Sequence, residues 1–206
     1  MAHPGTFPIT RFDLHWERVI NGWTQYSPLL DHVGAVIAKY APEIWAVIFL
    51  LLWFWPPLRQ NRARRAVVYA VVAGVLALAI NVVISHLTPY RPRPFVYEPS
   101  VIHQLVSHKA DTSFPSDHAA GSFAFAVGLF YAGVSDGLWA LLFAVAVALA
   151  RVFVGLHWPT DVLAGAVVGL VAGFVVLSLR RSLEWLVQLL FRIFSIQPER
   201  RYLRRR

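Results

Sequence analysis

Three short stretches hold the polar residues that this apolar chain has the most reason to avoid, and their side chains suit the handling of a phosphate group. The first is His86-Leu-Thr-Pro-Tyr-Arg91-Pro-Arg93-Pro. Its prolines forbid continuation of a helix and hold the backbone extended or turned, so Arg91 and Arg93 are displayed beyond a helix end. A guanidinium offers a planar fork of donors that matches phosphate oxygens. The same arginines could instead reach lipid headgroups, so this stretch alone does not decide between the two. The second is Phe114-Pro-Ser-Asp-His118. Ser116 is placed to cap a helix, which would aim the first backbone N–H groups, including that of Asp117, at one anion. His118 in that first turn is close enough to exchange a proton with it.

The third stretch runs from Ala150-Arg151 through Gly155-Leu-His157-Trp-Pro to Asp161. Arg151 ends a long apolar run and calls for an anionic partner, because an unpaired charge is costly in a membrane interior. Asp161 follows His157 by four residues. A carboxylate that accepts a hydrogen bond from one imidazole nitrogen fixes the tautomer and leaves the other nitrogen as a nucleophile toward phosphorus. A single loop histidine is usually inert; an Arg, a His and an Asp sharing one turn give it a chemical setting.

The elements that must position these stretches are membrane helices. The 206-residue chain is 57% hydrophobic and 15% charged, too apolar for one small soluble core. About 20 apolar residues cross the hydrocarbon region, and five stretches are candidates: Val33 to Trp55, Ala66 to Leu87, Ala119 to Val134, Leu138 to Val154 and Val162 to Leu179. The expected fold is an all-α polytopic bundle of five to six transmembrane helices. Two flanking amphipathic segments, Phe12 to Trp23 and Leu183 to Phe194, read as interfacial anchors. Lys39 and Glu43, four apart in the first span, are expected to pair. Gly165, Gly169 and Gly173 form a small-residue stripe suited to close helix packing. No soluble segment is long enough to fold separately, so residues 1–206 read as one membrane-embedded domain, with a motif-bearing core at about 66–179 and a basic tail at about 180–206.

Sidedness follows from the basic clusters, since short cytoplasmic loops collect Lys and Arg. Arg59, Arg62, Arg64 and Arg65 after the first span, and Arg180, Arg181 and the arginines of the tail, are assigned to the cytoplasm. All three polar stretches then fall on the opposite face. The formal net charge of +8 sits mainly in those clusters and reads as topology and contact with anionic lipid, not as a nucleic-acid surface. The chain has no cysteine, and no acidic or histidine spacing suggests a metal cage.

Taken together, the stretches resemble the three motifs of the phosphatidic acid phosphatase type 2 superfamily, K-x6-R-P, P-S-G-H and S-R-x5-H-x3-D, in order and spacing over about Ala66 to Leu179. The chain departs at His86, Asp117 and Ala150, where the motifs have lysine, glycine and serine. With His86 in place of lysine, charge compensation at that position becomes pH-dependent. The R-P-F of Arg93 to Phe95, the string His108 to His118 and Gly155-Leu-His-Trp-Pro resemble bacterial undecaprenyl diphosphate phosphatases of the superfamily.

The resemblance implies a multi-pass enzyme of the bacterial cytoplasmic membrane, with its site on the extracytoplasmic face and its C-terminus in the cytoplasm, that needs no cofactor and no metal. His157 would be the nucleophile, Asp161 its partner and His118 the proton donor. His86, Arg93, Ser116, Asp117 and Arg151 would hold the phosphate. The substrate would be a lipid-linked diphosphate, or a monophosphate such as phosphatidic acid or phosphatidylglycerophosphate. A non-enzymatic lipid or anion transporter is the remaining class. Chain-length preference and oligomeric state are not set by these residues.

Overall fold

A computed structural model describes residues 7–54, 61–194 and 196 of the chain. Among these the regular elements are all helices, in the order α1 (Arg11–Asn21), α2 (Pro28–Phe54), α3 (Asn61–Leu87), α4 (Pro94–Tyr97), α5 (Asp117–Leu129), α6 (Val134–Phe153), α7 (Pro159–Ser178) and α8 (Glu184–Ile193). Arg59, the end of the first expected span at Trp55, and the arginines of the tail from residue 200 lie outside the described residues.

Four of the five expected spans, α2, α3, α6 and α7, are long and apolar enough to cross a membrane. The third expected span is different. α5 has only 13 residues, about 20 Å of helix against a hydrocarbon thickness of about 30 Å. It nevertheless runs from one end of the bundle to the other: its N-cap residue Ser116 donates its backbone N–H to Asp161 O at 3.1 Å, and beyond its other end Tyr131 O accepts from Arg62 Nε at 2.7 Å. A helix enclosed by α3, α6 and α7 can be short, because its ends are met by protein groups instead of lipid.

Small residues draw the helices together around α5. Ala70, Ala73 and Ala77 of α3, Ala120 and Ala124 of α5 and Ala172 of α7 are all fully buried. Large apolar side chains such as Val75, Val83, Trp139, Leu142, Val167 and Phe174 point outward. That is the arrangement expected where lipid is the solvent and close backbone approach holds helices together. The glycine stripe of α7 is part of it. A Cβ on Gly169 would lie 2.3 Å from Ala120 O and 2.9 Å from Ala124 N, both backbone atoms of α5. Gly169→Ala must therefore push α5 away from α7, and overpacking of this kind costs about 1–3 kcal/mol. A clear fall in the thermal unfolding midpoint in detergent is the expected result; an unchanged midpoint would mean that the glycine does not set this spacing.

The flanking helices are amphipathic as expected, but α1 is turned inside out. Its buried face is the polar stripe Asp13, Glu17 and Asn21, spaced four apart, while Phe12, Trp16 and Val19 are exposed. The stripe is held by the protein: Asn21 Nδ2 donates to His103 O and Phe153 O at 2.9 and 2.8 Å, and its Oδ1 accepts from His103 N at 2.8 Å. The expected Lys39–Glu43 pair does not form, and Lys39 Nζ lies 5.0 Å from the centre of the Tyr40 ring.

Candidate active site

At the end of the bundle where α5 and α7 begin, a cavity of about 270 Å³ gathers residues from all three polar stretches. Its lining includes Arg93, Asp117, His118, Arg151 and His157, together with Asn81, His108 and Asp111. Local structure explains each placement. α3 ends before Pro89, and the segment 91–93 runs extended until Pro94 opens the one-turn helix α4. Trp158 Nε1 donates to Pro92 O at 2.8 Å, which fastens that segment to the α6–α7 turn. Ser116 caps α5, its side chain accepting from Ala119 N, so the helix N-terminus with Asp117 and His118 faces the cavity. Gly155 takes φ +76, and a Cβ there would meet Ile102 and the carbonyl of His103. That left-handed turn folds the chain back so that His157 lies beside Arg151.

His157 is buried, and its two ring nitrogens have different surroundings. Nδ1 lies 2.9 Å from Ser113 O, and a carbonyl can only accept, so Nδ1 carries the proton. Nε2 is therefore the lone-pair nitrogen, 3.2 Å from an Arg93 guanidinium nitrogen and 3.3 Å from one of Arg151. Burial pushes the imidazole down to about 4; the neighbouring Asp161 carboxylate opposes this, and the charge of Arg151 adds to it. The ring is thus neutral at physiological pH, the form a nucleophile needs.

The tautomer is fixed by a different group from the one expected. Asp161 Oδ2 is 3.6 Å from His157 Nδ1, beyond hydrogen-bond length. Its oxygens are engaged elsewhere: Oδ2 accepts from Trp158 N at 2.9 Å, and Oδ1 accepts from Arg91. Asp161 therefore faces the imidazole as a nearby charge, while the Ser113 carbonyl accepts the Nδ1–H hydrogen bond.

The two arginines at Nε2 are themselves oriented. Arg93 donates to Asp111 Oδ1 at 2.7 Å, Leu156 O at 2.9 Å and Thr112 O at 3.3 Å; Arg151 donates to Ala38 O at 2.9 Å. Partial burial pushes the Asp111 carboxyl up, but the hydrogen bond and charge of Arg93 outweigh it and hold that carboxyl below its ordinary value. Asp117 accepts from Asn81 Nδ2 at 2.8 Å across α3 and α5.

Not every expected residue reaches the cavity. Ser116 is fully buried beneath it as the helix cap. His86 lies outside its lining, exposed, with Nδ1 donating to Val82 O at 2.7 Å one helical turn back. The position that the motif gives to lysine thus contributes no charge to the lining described here. Of the outer-loop residues, His108 lines the cavity, whereas His103 is held by Asn21 and Thr24 of the N-terminal segment. Ser113, Asn81 and Asp111 were not singled out from the sequence. Ser113 acts through its backbone carbonyl, which no side-chain pattern reveals.

The family model of the PAP2 superfamily matches residues 65–185. The undecaprenyl-diphosphatase BcrC of Bacillus subtilis (strain 168) is 33% identical over 178 residues, covering 86% of this chain and 89% of that protein. A bacitracin transport permease protein BcrC of Bacillus licheniformis is 31% identical over 173 residues, with 84% of this chain and 83% of that protein covered. Among solved structures, Aquifex aeolicus LpxE superposes with a TM-score of 0.65 at 21% identity, over 84% of this chain and 99% of that one. With a family match over more than half its length and a bundle that carries all three motif stretches at one end, the chain belongs to the PAP2 superfamily.

Proposed function

We propose that this membrane phosphatase removes the terminal phosphate of undecaprenyl diphosphate, giving undecaprenyl phosphate and inorganic phosphate through a phosphohistidine on His157. The observation that carries the proposal is the His157 lone pair, buried and neutral, set between two guanidiniums on the wall of a cavity. Donors that lie 3.2 and 3.3 Å from the attacking nitrogen are also within reach of the oxygens of a phosphorus bound to it.

In the first step Nε2 forms a bond to the terminal phosphorus as the bond to the bridging oxygen breaks, and the lipid phosphate leaves with a proton from His118. Arg93, Arg151 and the N–H groups at the start of α5 hold the equatorial oxygens. Water then attacks the phosphorus, gives its proton to His118, and the N–P bond breaks to release inorganic phosphate. Basic residues at the opposite end of the bundle support an extracytoplasmic site and a cytoplasmic C-terminus.

The preference for undecaprenyl diphosphate rests on the relative at 33% identity. The relative named as a transport permease keeps a second reading in play, in which the same charges bind an anion without cleaving it. Phosphate release by the purified protein from undecaprenyl diphosphate, shorter prenyl diphosphates and phosphatidic acid separates them. Release should be fastest from the long prenyl diphosphate and unaffected by EDTA, since arginines supply the charge compensation. Faster release from phosphatidic acid would reassign the substrate, and no release from any of them would favour transport.

A further inference from the structure

Asp161 is not an isolated partner of His157. It is one end of a buried chain of three charges that reaches the N-terminal helix. Arg91 is fully buried, and its guanidinium donates both to Asp161 Oδ1 and, at 2.7 Å, to Asp13 Oδ2 of α1. The other Asp13 oxygen accepts from Thr160 N at 3.0 Å and Thr160 Oγ1 at 2.7 Å, in the first turn of α7. Thr160 Oγ1 also accepts from Arg91 at 2.8 Å. Phe7 and Phe114, stacked on each other with ring centres 4.6 Å apart, lie beside this guanidinium, 5.2 and 5.8 Å from its carbon. Asp13, Arg91 and Asp161 all have side chains at 0% exposure.

The charge count gives this cluster a consequence for the reaction. Asp161 with Arg91 alone is a neutral pair, and a neutral pair does little for a cation beside it. Asp13 adds a second negative charge on the far side of Arg91 and leaves the cluster at net −1. Glu17, one turn further along α1, makes no hydrogen bond to these three groups. Burial, together with the carboxylates of Asp161, Asp13 and Glu98, pushes its carboxyl well above the ordinary value, and neither of its oxygens has a hydrogen-bond partner among the described residues. When Nε2 bonds to phosphorus while Nδ1 keeps its proton, the His157 ring becomes cationic. Arg93, with Asp111 bound to it, and Arg151 lie on the Nε2 side of the ring with the phosphoryl group, and Asp161 is the carboxylate beside Nδ1, where the added positive charge is shared.

We propose that α1, which precedes the stretch matched to the superfamily, completes the site, with Asp13 and Arg91 as positioning residues that hold Asp161 and leave it the net negative charge that stabilises the imidazolium of His157. This rests on the phosphatase reading with His157 as nucleophile. The same geometry explains why α1 buries its polar stripe and leaves its apolar face outward.

The test is a double-mutant cycle in detergent, reading kcat, KM and the unfolding midpoint on undecaprenyl diphosphate. Asp13→Asn should lower kcat about tenfold with KM unchanged, the scale of coupling between groups in one buried network. Arg91→Met should be worse, because two buried carboxylates are left facing each other. The double variant returns the cluster to net −1 and should recover kcat to within about threefold of the parent. Should Asp13→Asn fail to fold, Thr160→Val, which removes the hydroxyl's contacts to Asp13 and Arg91 but none of the three charges, must lower kcat in the same direction. A parent protein that turns over while Asp13→Asn or a folded Thr160→Val keeps its full kcat, or a double variant no better than Arg91→Met, overturns the role of α1 and leaves the phosphatase reading standing. A parent that releases no phosphate overturns both.

Discussion

His157→Ala should abolish phosphate release from a lipid diphosphate, a loss on the order of 10⁴-fold or more, as for removal of the nucleophile in a covalent mechanism. The size follows from what the substitution leaves in place. Arg93 still has Leu156 O, Thr112 O and Asp111 to hold it, and Arg151 still has Ala38 O, so the phosphate-holding donors keep their positions. Phosphate binding should therefore survive, and the loss should appear in kcat. Ser113 O would lose its donor, which costs on the order of 1–3 kcal/mol of stability, a fraction of what folding provides. This sets the variant apart from Arg151→Met, where loss of an oxygen-holding group should damage binding and kcat together. A transporter would show the reverse order, tolerating His157→Ala and failing without Arg151. Turnover retained in a folded His157→Ala protein, measured as inorganic phosphate released, would rule out the phosphohistidine route.

The motif stretches were legible from the sequence because each couples a backbone constraint to a charged side chain. Pro92 and Pro94 around Arg93, the Ser116 cap ahead of His118, and Gly155 with Pro159 around His157 all restrict the chain locally, and local restriction can be read from residue types. His86 falls outside the cavity lining for a reason equally local. It sits within α3, where its ring turns back to Val82 O instead of reaching toward the cavity. What the spacing could not show was which acceptor receives the Nδ1–H hydrogen bond of His157, since the choice between Asp161 and the Ser113 carbonyl depends on how closely two distant segments approach.

The span assigned to Ala119–Val134 read as an ordinary crossing because hydropathy reports how apolar a segment is, not what surrounds it. α5 is apolar because other helices enclose it, and this allows it to be short. α1 inverts the usual meaning of amphipathicity for the same reason. Asp13, Glu17 and Asn21 at four-residue spacing were visible, but a polar stripe beside Trp16 and Trp23 reads as the wet face of an interfacial helix until its partner Arg91 is known to be buried. That stripe is the signal from which the N-terminal part of the site could have been found.

His118→Ala should separate the substrates more sharply than it lowers activity overall. Its proposed first task is to protonate the leaving group, and the value of that proton depends on how basic the leaving oxygen is. From undecaprenyl diphosphate the leaving group is a phosphate monoester, whose second pKa is about 6 and which can depart without a proton. From phosphatidic acid it is an alkoxide, far more basic, which cannot. Loss of His118 should thus slow attack on phosphatidic acid by about 10²–10⁴-fold, the usual range for general acid catalysis, while attack on the diphosphate falls much less. The second task, activating water, is the same for both substrates. With the diphosphate the variant should therefore form its phosphohistidine and then stall, giving a burst of about one lipid phosphate per protein followed by slow release of inorganic phosphate. Acid-labile label on the protein after mixing with terminally labelled diphosphate is the direct reading. Equal losses on both substrates with no labelled protein would remove His118 from both proton transfers, whereas a burst confined to the diphosphate would place it in the hydrolytic step and tie the site's economy of charged groups to a leaving group that is already an anion.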